Sequence, residues 1–270
     1  MRRIAHISDI HFGRADAAVV RVLVQTLRDL RPDLLVLSGD LTQRARSAQF
    51  IEARAFLDEV GLPQIVVPGN HDVPLYNVYD RFLHPLDKYK KYITNDLMPF
   101  FEDDEMAVLG INTSRSMTIK GGRINAEQMN AISRIMTPVP DIKLKVIVSH
   151  HPFDVTEEQD DDDIVGNAQA AMEQIIATGA DVFLSGHIHV SGIIDSARRY
   201  VLENGRSALI IQAGTAASTR VRGELNSFNL LEHRHPELEV TRYDHDGRTG
   251  EFRPVRSKVF AAGPRGWLTK

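Results

Sequence analysis

The organisation of this chain follows from residues 34–40, which read Leu-Leu-Val-Leu-Ser-Gly-Asp. Four consecutive apolar residues without polar alternation are typical of a strand that is buried on both faces. Gly39 permits a tight turn directly after the strand, and Asp40 is the first charged side chain beyond it. The same arrangement, a buried strand that runs into a polar turn, recurs along the chain.

Four further segments carry side chains that can bind metal ions, and each follows an apolar run that we interpret as a strand. They are Asp9-Ile10-His11, Gly69-Asn70-His71-Asp72, His150-His151 and Gly186-His187-Ile188-His189. Strands laid side by side in one sheet would deliver these side chains to a single edge, where open α/β sheets bind ligands. Carboxylates, an amide and imidazoles together suit a pair of borderline or hard metal ions.

Each segment taken alone also has a simpler explanation. Asp9 and His11 share one face of an extended backbone and would serve as a hydrogen-bonded pair. Asp40 can cap a turn, and Asn70 is a common turn residue. The joint occurrence of five such segments, all at strand ends, favours a metal site over five unrelated turns.

The histidine pairs differ from one another. His187 and His189 lie two residues apart, so both imidazoles point to one side, which core packing does not explain. His151 points away from His150, and we expect it to have a structural or supporting role.

Apolar spacing and turn signals predict an α/β chain whose C-terminal third is all β. The expected strands cover residues 3–8, 34–37, 64–67, 106–112, 143–149, 182–185, 193–194, 208–212, 228–231 and 238–243. The expected helices cover residues 15–30, 47–60 (with Ser47 as the N-cap), 125–136 and 169–178, and a helical excursion over 76–92 is interrupted near Pro85. The strand–helix–strand order implies a mostly parallel sheet. We expect one domain over residues 1–255 and a tail over 256–270 that is flexible or lies at an oligomer interface.

Composition narrows the class of protein. The 270 residues contain 43% hydrophobic and 25% charged residues, which is ordinary for a globular protein. No cysteine is present, so disulfides and thiolate ligands are excluded and a metal must be held by nitrogen and oxygen. A net charge of -4 argues against a nucleic-acid partner. No stretch reaches the roughly 18 apolar residues of a membrane span, and we expect a cytoplasmic protein.

The ordered motifs resemble those of the calcineurin-like metallophosphoesterase superfamily, and within it most closely the class III cyclic-nucleotide phosphodiesterase branch. The resemblance runs from about residue 1 to residue 189, and every metal-binding position of the family pattern is occupied. It implies a single-domain, four-layer α-β-β-α sandwich with a dinuclear metal centre. The implied roles are a first metal on Asp9, His11 and His189, a second on Asn70, His150 and His187, a bridge at Asp40, and substrate binding by Asn70 and His71.

The resemblance also implies a reaction, the hydrolysis of a small phosphodiester by metal-activated hydroxide that attacks phosphorus. Two divalent ions, two aspartates and one hydroxide leave one net positive charge, which matches a singly charged diester better than a dianionic monoester. An Fe(III)-containing pair would shift this balance. His71 is the candidate catalytic residue, as an imidazole that protonates the leaving alkoxide, with Asp72 as its orienting partner.

Several alternatives stay open from the sequence. The cofactors are expected to be two transition-metal ions, with Mn, Fe, Zn and Co all compatible with the ligand types. The activity is alternatively that of a phosphomonoesterase, a nuclease or a pyrophosphatase on a lipid-linked sugar nucleotide, or the chain is a non-catalytic metal-binding scaffold. Pyrophosphatases of that kind tend to carry arginine where His71 stands, which disfavours this option.

The expected partners are a small-molecule phosphoester and, through the β-rich C-terminal third, a second copy in a homodimer. Substrate choice is assigned to four loops, at residues 73–96, 114–123, 154–167 and 215–223. Within the third loop, Glu157 to Asp163 is strongly acidic and is expected to be a mobile, hydrated segment. Near the site it would repel long polyanions such as nucleic acid.

Overall fold

The computed structural model describes residues 1–75, 77–117, 121–202, 204–219 and 223–270, and these residues form two mixed β-sheets flanked by helices. The strands are β1 Arg2–Ile7, β2 Leu34–Leu37, β3 Gln64–Val66, β4 Phe100–Glu102, β5 Met106–Gly110, β6 Leu144–Val148, β7 Val182–Ser185, β8 Gly192–Asp195, β9 Leu209–Gln212, β10 Ser227–Arg234, β11 Glu237–Asp246, β12 Glu251–Gly263 and β13 Gly266–Thr269. The α-helices are α1 Ala17–Leu30, α2 Ser47–Val60, α3 Val78–Leu83, α4 Asp87–Tyr92, α5 Ala126–Met136 and α6 Ala168–Ile176.

The first sheet has the order β13-β12-β11-β10-β1-β2-β3. Strands β1, β2 and β3 pair in parallel, whereas the part from β10 to β13 is an antiparallel meander that joins through β10 to β1. The second sheet has the order β4-β5-β6-β7-β9-β8, with β5, β6, β7 and β9 parallel. The parallel strands of each sheet therefore end at a common edge.

Three apolar layers hold the structure together, because the inner strands are buried on both faces. In β2, Leu35 and Leu37 pack against α1 and α2, while Leu34 and Val36 face the second sheet. The same alternation in β6 directs Ile147 towards α5 and α6. This period-two alternation between two covered faces explains why the parallel strands read as continuous apolar runs. The predicted four-layer α-β-β-α sandwich is confirmed.

One expectation about the fold is wrong. The residue pattern alone placed all five polar segments on one sheet, but β1, β2 and β3 belong to one sheet and β6 and β7 to the other. Apolar runs report burial on both faces, and they carry no information about which strands are hydrogen-bonded neighbours.

The C-terminal segment also differs from expectation. Residues 256–263 are the second half of β12, and β13 follows at Gly266–Thr269, so this segment is part of the sheet and not a loose tail. Trp267 buries its ring between the sheets and donates its indole N–H to the carbonyl of Asp181 at 3.1 Å. The Gly-Pro turn after residue 262 is the connection of a β-hairpin, which the sequence did not distinguish from a flexible end.

Smaller differences concern boundaries. Ser47 is the first residue of α2 and Arg46 occupies the N-cap. The helical excursion splits into α3 and α4 around Pro85 as predicted, with Tyr76 outside the described residues. Three of the loops assigned to substrate choice lie partly outside the described residues, at 76, 118–120 and 220–222. In the described part of the chain, no helix combines the length and the apolar character that a bilayer crossing requires.

Candidate metal centre

The five polar segments meet where the two sheets face each other at the carboxyl ends of their parallel strands. Two groups of side chains lie there. Within each group, all the potential ligand atoms are within 4.8 Å of one another. One group consists of Asp9, His11, Asp40 and His189, and the other of His150, His151 and His187. Asn70 joins the second group, since its Oδ1 lies 3.0 Å from His150 Nε2 and 3.2 Å from His187 Nδ1.

In the second group, nitrogen and oxygen atoms that carry no proton face one another. The Nδ1 of His150 lies 2.9 Å from the Ser38 carbonyl, which can only accept, so this nitrogen carries the proton. Burial lowers the pKa of His150 to about 3, so the ring is neutral and its Nε2 holds a lone pair. The Nε2 of His187 lies 3.3 Å from a carboxylate oxygen of Asp163, which attracts a proton on that nitrogen, and this tautomer has its lone pair on Nδ1.

These lone pairs point at one another. The distance from His150 Nε2 to His187 Nδ1 is 3.3 Å, and both nitrogens face the amide oxygen of Asn70. Three acceptors at such distances repel unless a cation lies between them. Ligand atoms about 2.1 Å from a shared ion are separated by about 3.0–3.4 Å in octahedral or tetrahedral geometry, and the observed distances match this spacing. The residues present therefore fit a metal ion.

The first group is equally compact. The Nε2 atoms of His11 and His189 are 3.2 Å apart, and His189 Nε2 is 3.1 Å from Asp9 Oδ1. Although burial favours the neutral acid, the imidazoles of His189, His150 and His11 hold the pKa of Asp9 well below its usual range. The first group thus combines an ionised carboxylate with converging imidazole nitrogens, a set that suits a second ion.

Asp40 lies between the two groups. Its Oδ2 is 3.8 Å from His11 Nε2, and its Oδ1 is 3.4 Å from His150 Nε2. The backbone N–H of His71 donates to Oδ1 at 2.8 Å, which fixes the orientation of the carboxylate. One oxygen of Asp40 therefore faces each group, as a bridging ligand requires.

The backbone at the site is unusual. Five of the seven candidate ligands are non-glycine residues with positive φ, at 53° for Asp9, 56° for His11, 51° for Asp40, 72° for His187 and 66° for His189. Such conformations are uncommon outside glycine and concentrate at functional sites. Hydrogen bonds hold them in place, for example from Asp9 N to the Gly39 carbonyl at 3.1 Å and from His187 N to Asp9 Oδ2 at 3.0 Å.

Glycine precedes several of these residues because the strand ends are crowded. A Cβ on Gly39 would lie 2.5 Å from His150 Nδ1, and the φ of Gly39 is +97°. A Cβ on Gly186 would lie 1.8 Å from the hydroxyl of Ser8 and 2.5 Å from Asp9 Oδ2. Glycine therefore allows the two sheets to approach closely enough for their ligands to meet.

His71 stands at the rim of the two groups. Its ring is half-buried and lies edge-on to the ring of His11, with centroids 4.9 Å apart. Its Nδ1 lies 3.0 Å from the backbone carbonyl of Gln43, which accepts a proton from it, and 3.2 Å from the side-chain amide nitrogen of Gln43.

Asp72 does not orient His71, contrary to the sequence-based expectation. Its buried carboxylate accepts hydrogen bonds from the backbone N–H groups of Leu41, Thr42 and Gly69 and from the Thr42 hydroxyl. Asp72 therefore joins the turns after β2 and β3 to each other. The backbone of Gln43 takes the role expected of Asp72, and no local sequence signal distinguishes the two.

A pocket of about 490 Å³ opens over the two groups. Its walls include Asp40, Asn70, His71, His187 and His189 on one side and the acidic residues Glu158, Asp160 and Asp163 on the other. The acidic segment was expected to be a mobile, hydrated loop. Instead it is held against the site, because Arg199 binds Asp154 and Asp161.

His151 has the supporting position that the sequence indicated, but it lies closer to the second group than expected. Its Nδ1 is 2.9 Å from the hydroxyl of Thr113, and its ring contacts those of His150 and His187 with centroids 4.9 and 4.6 Å away. The sequence analysis missed Gln43 and Ser38 because both contact site histidines through backbone carbonyls, which no side-chain motif reveals, although the Gln43 amide also lies 3.2 Å from His71 Nδ1.

Comparison with known proteins identifies the family. The model of the calcineurin-like phosphoesterase family matches residues 2–191, which contain every candidate ligand. The chain belongs to the calcineurin-like phosphoesterase family. The predicted family is thereby confirmed.

Individual relatives of this calcineurin-like chain are distant. A probable cyclic nucleotide phosphodiesterase of Synechococcus is 38% identical over 80 residues, which cover 26% of this chain and 31% of that protein. A cAMP/cGMP dual specificity phosphodiesterase of Mycobacterium tuberculosis is 28% identical over 69% of this chain and 61% of its own length. A probable glycerophosphodiester phosphodiesterase of Arcobacter nitrofigilis is 24% identical over 54% of this chain and 50% of its own length. The chain thus spans from about a third to three-fifths of the length of these relatives.

Solved structures agree on the fold. A purple acid phosphatase from yellow lupin (Lupinus luteus) seeds superposes with a TM-score of 0.71 and 13% identity, over 98% of this chain and 54% of that one. A dimetal phosphatase from Danio rerio superposes with a TM-score of 0.64 and 14% identity, over 94% of this chain and 98% of that one. These likenesses establish the calcineurin-like sandwich and leave the substrate open.

Proposed function

We propose that this chain is a dinuclear-metal phosphodiesterase that hydrolyses a small phosphodiester. The observation that carries the proposal is the convergence of lone pairs from Asn70, His150 and His187 beside a second ligand group, with Asp40 between the two. The first ion would be held by Asp9, His11 and His189, the second by Asn70, His150 and His187, and both by Asp40. Two bound ions would polarise the phosphoryl oxygens and lower the pKa of a water molecule.

His71 is the proposed acid. The Gln43 carbonyl accepts from Nδ1 at 3.0 Å, so the second proton of an imidazolium resides on Nε2. Because the ring lines the pocket beside Asn70 and Asp40, we assign to Nε2 the protonation of the oxygen of a leaving alcohol there. Asn70 contributes to substrate binding as well as to the second group.

The charge around the pocket supports a diester of low charge. Two divalent ions, two aspartates and one hydroxide leave a single positive charge, and Glu158, Asp160 and Asp163 add negative charge to the wall. A dianionic monoester and a long polyanion such as DNA are both disfavoured by this arrangement. A pocket of about 490 Å³ lies within the range of about 300–1,000 Å³ typical of small-molecule sites.

The relatives name two kinds of diester, cyclic nucleotides and glycerophosphodiesters. Both carry one negative charge and an alcohol leaving group, so the charge argument does not separate them. Of the two, we favour a cyclic nucleotide because relatives with that name include a match that is 38% identical over 80 residues and a match that covers 69% of this chain.

A substrate panel tests the proposal. The chain loaded with Mn²⁺ is assayed on cyclic AMP, cyclic GMP, glycerophosphoethanolamine, bis(p-nitrophenyl) phosphate, p-nitrophenyl phosphate, single-stranded DNA and a lipid-linked sugar nucleotide. We expect turnover of the small diesters to exceed that of the monoester and of DNA by at least tenfold.

Asp40→Asn is the control for this panel, since removal of the charge between the two groups is expected to abolish metal loading and turnover together. Elemental analysis of the purified variant measures the loading. Preferred hydrolysis of the monoester would contradict the diester assignment, and turnover of no substrate by fully loaded protein would favour a non-catalytic scaffold.

A further inference from the structure

The acidic segment beside the site is anchored mainly by Arg199. Arg199 donates from Nε to the buried carboxylate of Asp154 at 2.5 Å and from Nη2 to Asp161 at 2.6 Å. Hydrogen bonds to Asp161 and Asp154 hold the pKa of Arg199 above its ordinary range. Arg198 adds a contact to Asp154 at 3.3 Å. The start of the loop, at Asp154, and the acidic segment, at Asp161, are therefore bound to the same point after β8.

The anchored segment ends in a short 3-10 turn, Asp161–Asp163, that faces the second ligand group. The three aspartates of this turn have different surroundings. Asp161 binds Arg199, Asp162 is exposed, and Asp163 is partly buried with its Oδ1 3.3 Å from His187 Nε2. The side chains of Asp163 and His187 are 24% and 9% exposed, so this pair is shielded from bulk water on most sides.

The contact favours one position for the proton of His187. A carboxylate only accepts, so Asp163 attracts a proton on His187 Nε2, and in that tautomer Nδ1 presents a lone pair. That Nδ1 lies 3.2 Å from Asn70 Oδ1 and 3.3 Å from His150 Nε2. A carboxylate hydrogen-bonded to a ligand imidazole fixes the tautomer and the ring orientation, and it makes the imidazole a stronger base.

We propose that Asp163 is a positioning residue that selects the His187 tautomer and so sets the affinity of the second metal position. This inference rests on the proposed function, because it assumes that His187 binds a metal ion. The role belongs to one aspartate in the acidic run and not to its overall charge, since only Asp163 reaches His187. Arg199 acts through Asp161 by keeping the turn in place.

The test compares Asp163→Ala and Asp163→Asn with Asp162→Ala and Asp162→Asn, which remove or neutralise the adjacent exposed carboxylate. Mn²⁺ binding to each variant is measured by calorimetric titration, with two equivalents expected for the unmodified chain. In Asp163→Ala we expect one equivalent to weaken by roughly 10–100-fold, the usual effect of losing a hydrogen-bond partner of a ligand. The other equivalent should be unchanged. Asp163→Asn, which keeps an acceptor without the charge, should weaken it less, and both Asp162 variants should match the unmodified chain.

A second readout does not involve metal. Nitrogen NMR shifts of the imidazoles in metal-free protein report the tautomer, and we expect His187 to be protonated on Nε2 in the unmodified chain and to populate both tautomers in Asp163→Ala. The nearly isosteric Asp163→Asn variant covers the case in which the alanine variant fails to fold.

Two results would overturn the inference. One is unchanged affinity of both equivalents in Asp163→Ala with an unchanged His187 tautomer. The other is an equal loss at both equivalents or the same loss in the Asp162 variants, since this would indicate a general effect of charge or folding. By contrast, fewer than two equivalents bound to the unmodified chain would contradict the proposed function itself.

Discussion

At the scale of single residues, the candidate site is built from side chains held in unfavourable backbone conformations. Asp9, His11, Asp40, His187 and His189 all have positive φ, and each such residue costs about 1–3 kcal/mol of folding free energy. The surrounding hydrogen bonds must offset this strain. A chain that needed only turns at these positions would adopt glycine, so the strain itself indicates that these side chains serve a function.

His71 allows the acid role to be separated from metal binding. His71→Ala removes the proposed proton donor but leaves the seven candidate ligands in place, so we expect both metal equivalents to remain. Turnover of a diester should fall by roughly 10²–10⁴-fold, the usual effect of losing an acid–base group. Steady-state kinetics and elemental analysis of the same sample measure the two quantities.

Gln43→Ala is a comparison variant, because its backbone carbonyl still accepts from His71 Nδ1 while the side-chain amide 3.2 Å from the same nitrogen is removed. We expect it to retain most activity. Wild-type turnover in His71→Ala would eliminate the acid role, and loss of metal in that variant would instead indicate that His71 supports the ligands.

At the scale of elements, the turn after each parallel strand determines where its ligand lies. The turn after β2 places Gly39 against His150, whose Nδ1 donates to the Ser38 carbonyl on the same turn. The turn after β2 and the end of β6 belong to different sheets. A hydrogen bond links them, and they can approach closely because Gly39 has no side chain. The β2 turn therefore controls the position of a ligand that belongs to β6.

Gly39→Ala tests this close approach. The new methyl group would lie 2.5 Å from His150 Nδ1 at a backbone φ of +97°, so His150 must move. We expect the second metal equivalent to bind at least tenfold more weakly and the protein to lose about 1–3 kcal/mol of stability. Gly247→Ala is the control, because a Cβ there meets no atom within 4 Å. Calorimetric titration and urea denaturation would show no difference between the two variants if the approach were unimportant.

The start of β7 carries a pH-dependent contribution to stability. Asp181 accepts a hydrogen bond from Lys145 N at 2.9 Å, and burial raises its pKa from 3.8 to about 6. Because the folded chain holds this proton more tightly than the unfolded chain, the stabilisation is complete below about pH 4 and is lost as the pH rises through 6. The change amounts to about 3 kcal/mol.

Asp181→Asn should remove this dependence, since the amide oxygen still accepts from Lys145 and carries no titratable proton. Relative to the unmodified chain, the variant should gain stability steadily between pH 4 and pH 6. Urea denaturation at several pH values measures the difference in free energy of unfolding, and parallel curves for the two proteins would contradict the raised pKa.

At the scale of the whole molecule, the candidate ligands come from both sheets. Asp9, Asp40 and Asn70 follow strands of the first sheet, whereas His150, His187 and His189 follow strands of the second. Bound metal would therefore cross-link the two halves of the sandwich in addition to any role in the reaction.

Metal binding should accordingly raise the thermal stability. At a free Mn²⁺ concentration about 1,000 times the dissociation constant, each site adds about 4 kcal/mol to the free energy of unfolding. We expect the melting temperature, measured by differential scanning calorimetry, to rise with Mn²⁺ and to fall with a chelator. The Asp40→Asn variant should show little of this rise. An equal response in both proteins would indicate that the metal binds elsewhere.

Much of this protein was determined by the sequence alone. Apolar runs such as Leu34–Leu37 predicted strands buried on both faces, and the polar residues that end them predicted the members of the candidate site. Both predictions depend on local chemistry, since burial on two faces requires uninterrupted apolar residues and a metal ion requires specific donor atoms. Local patterns therefore identified the strands and the candidate site residues, and the family resemblance that these residues carry implied the four-layer fold.

Only the tertiary structure decided the arrangement of these parts. It distributed the ligands over two sheets, incorporated residues 256–269 into strands, and assigned the orientation of His71 to the Gln43 carbonyl and that of His187 to Asp163. These features depend on contacts between residues far apart in the chain and on backbone carbonyls, which every residue possesses. A side-chain pattern cannot encode them, because they arise only when the two sheets pack together.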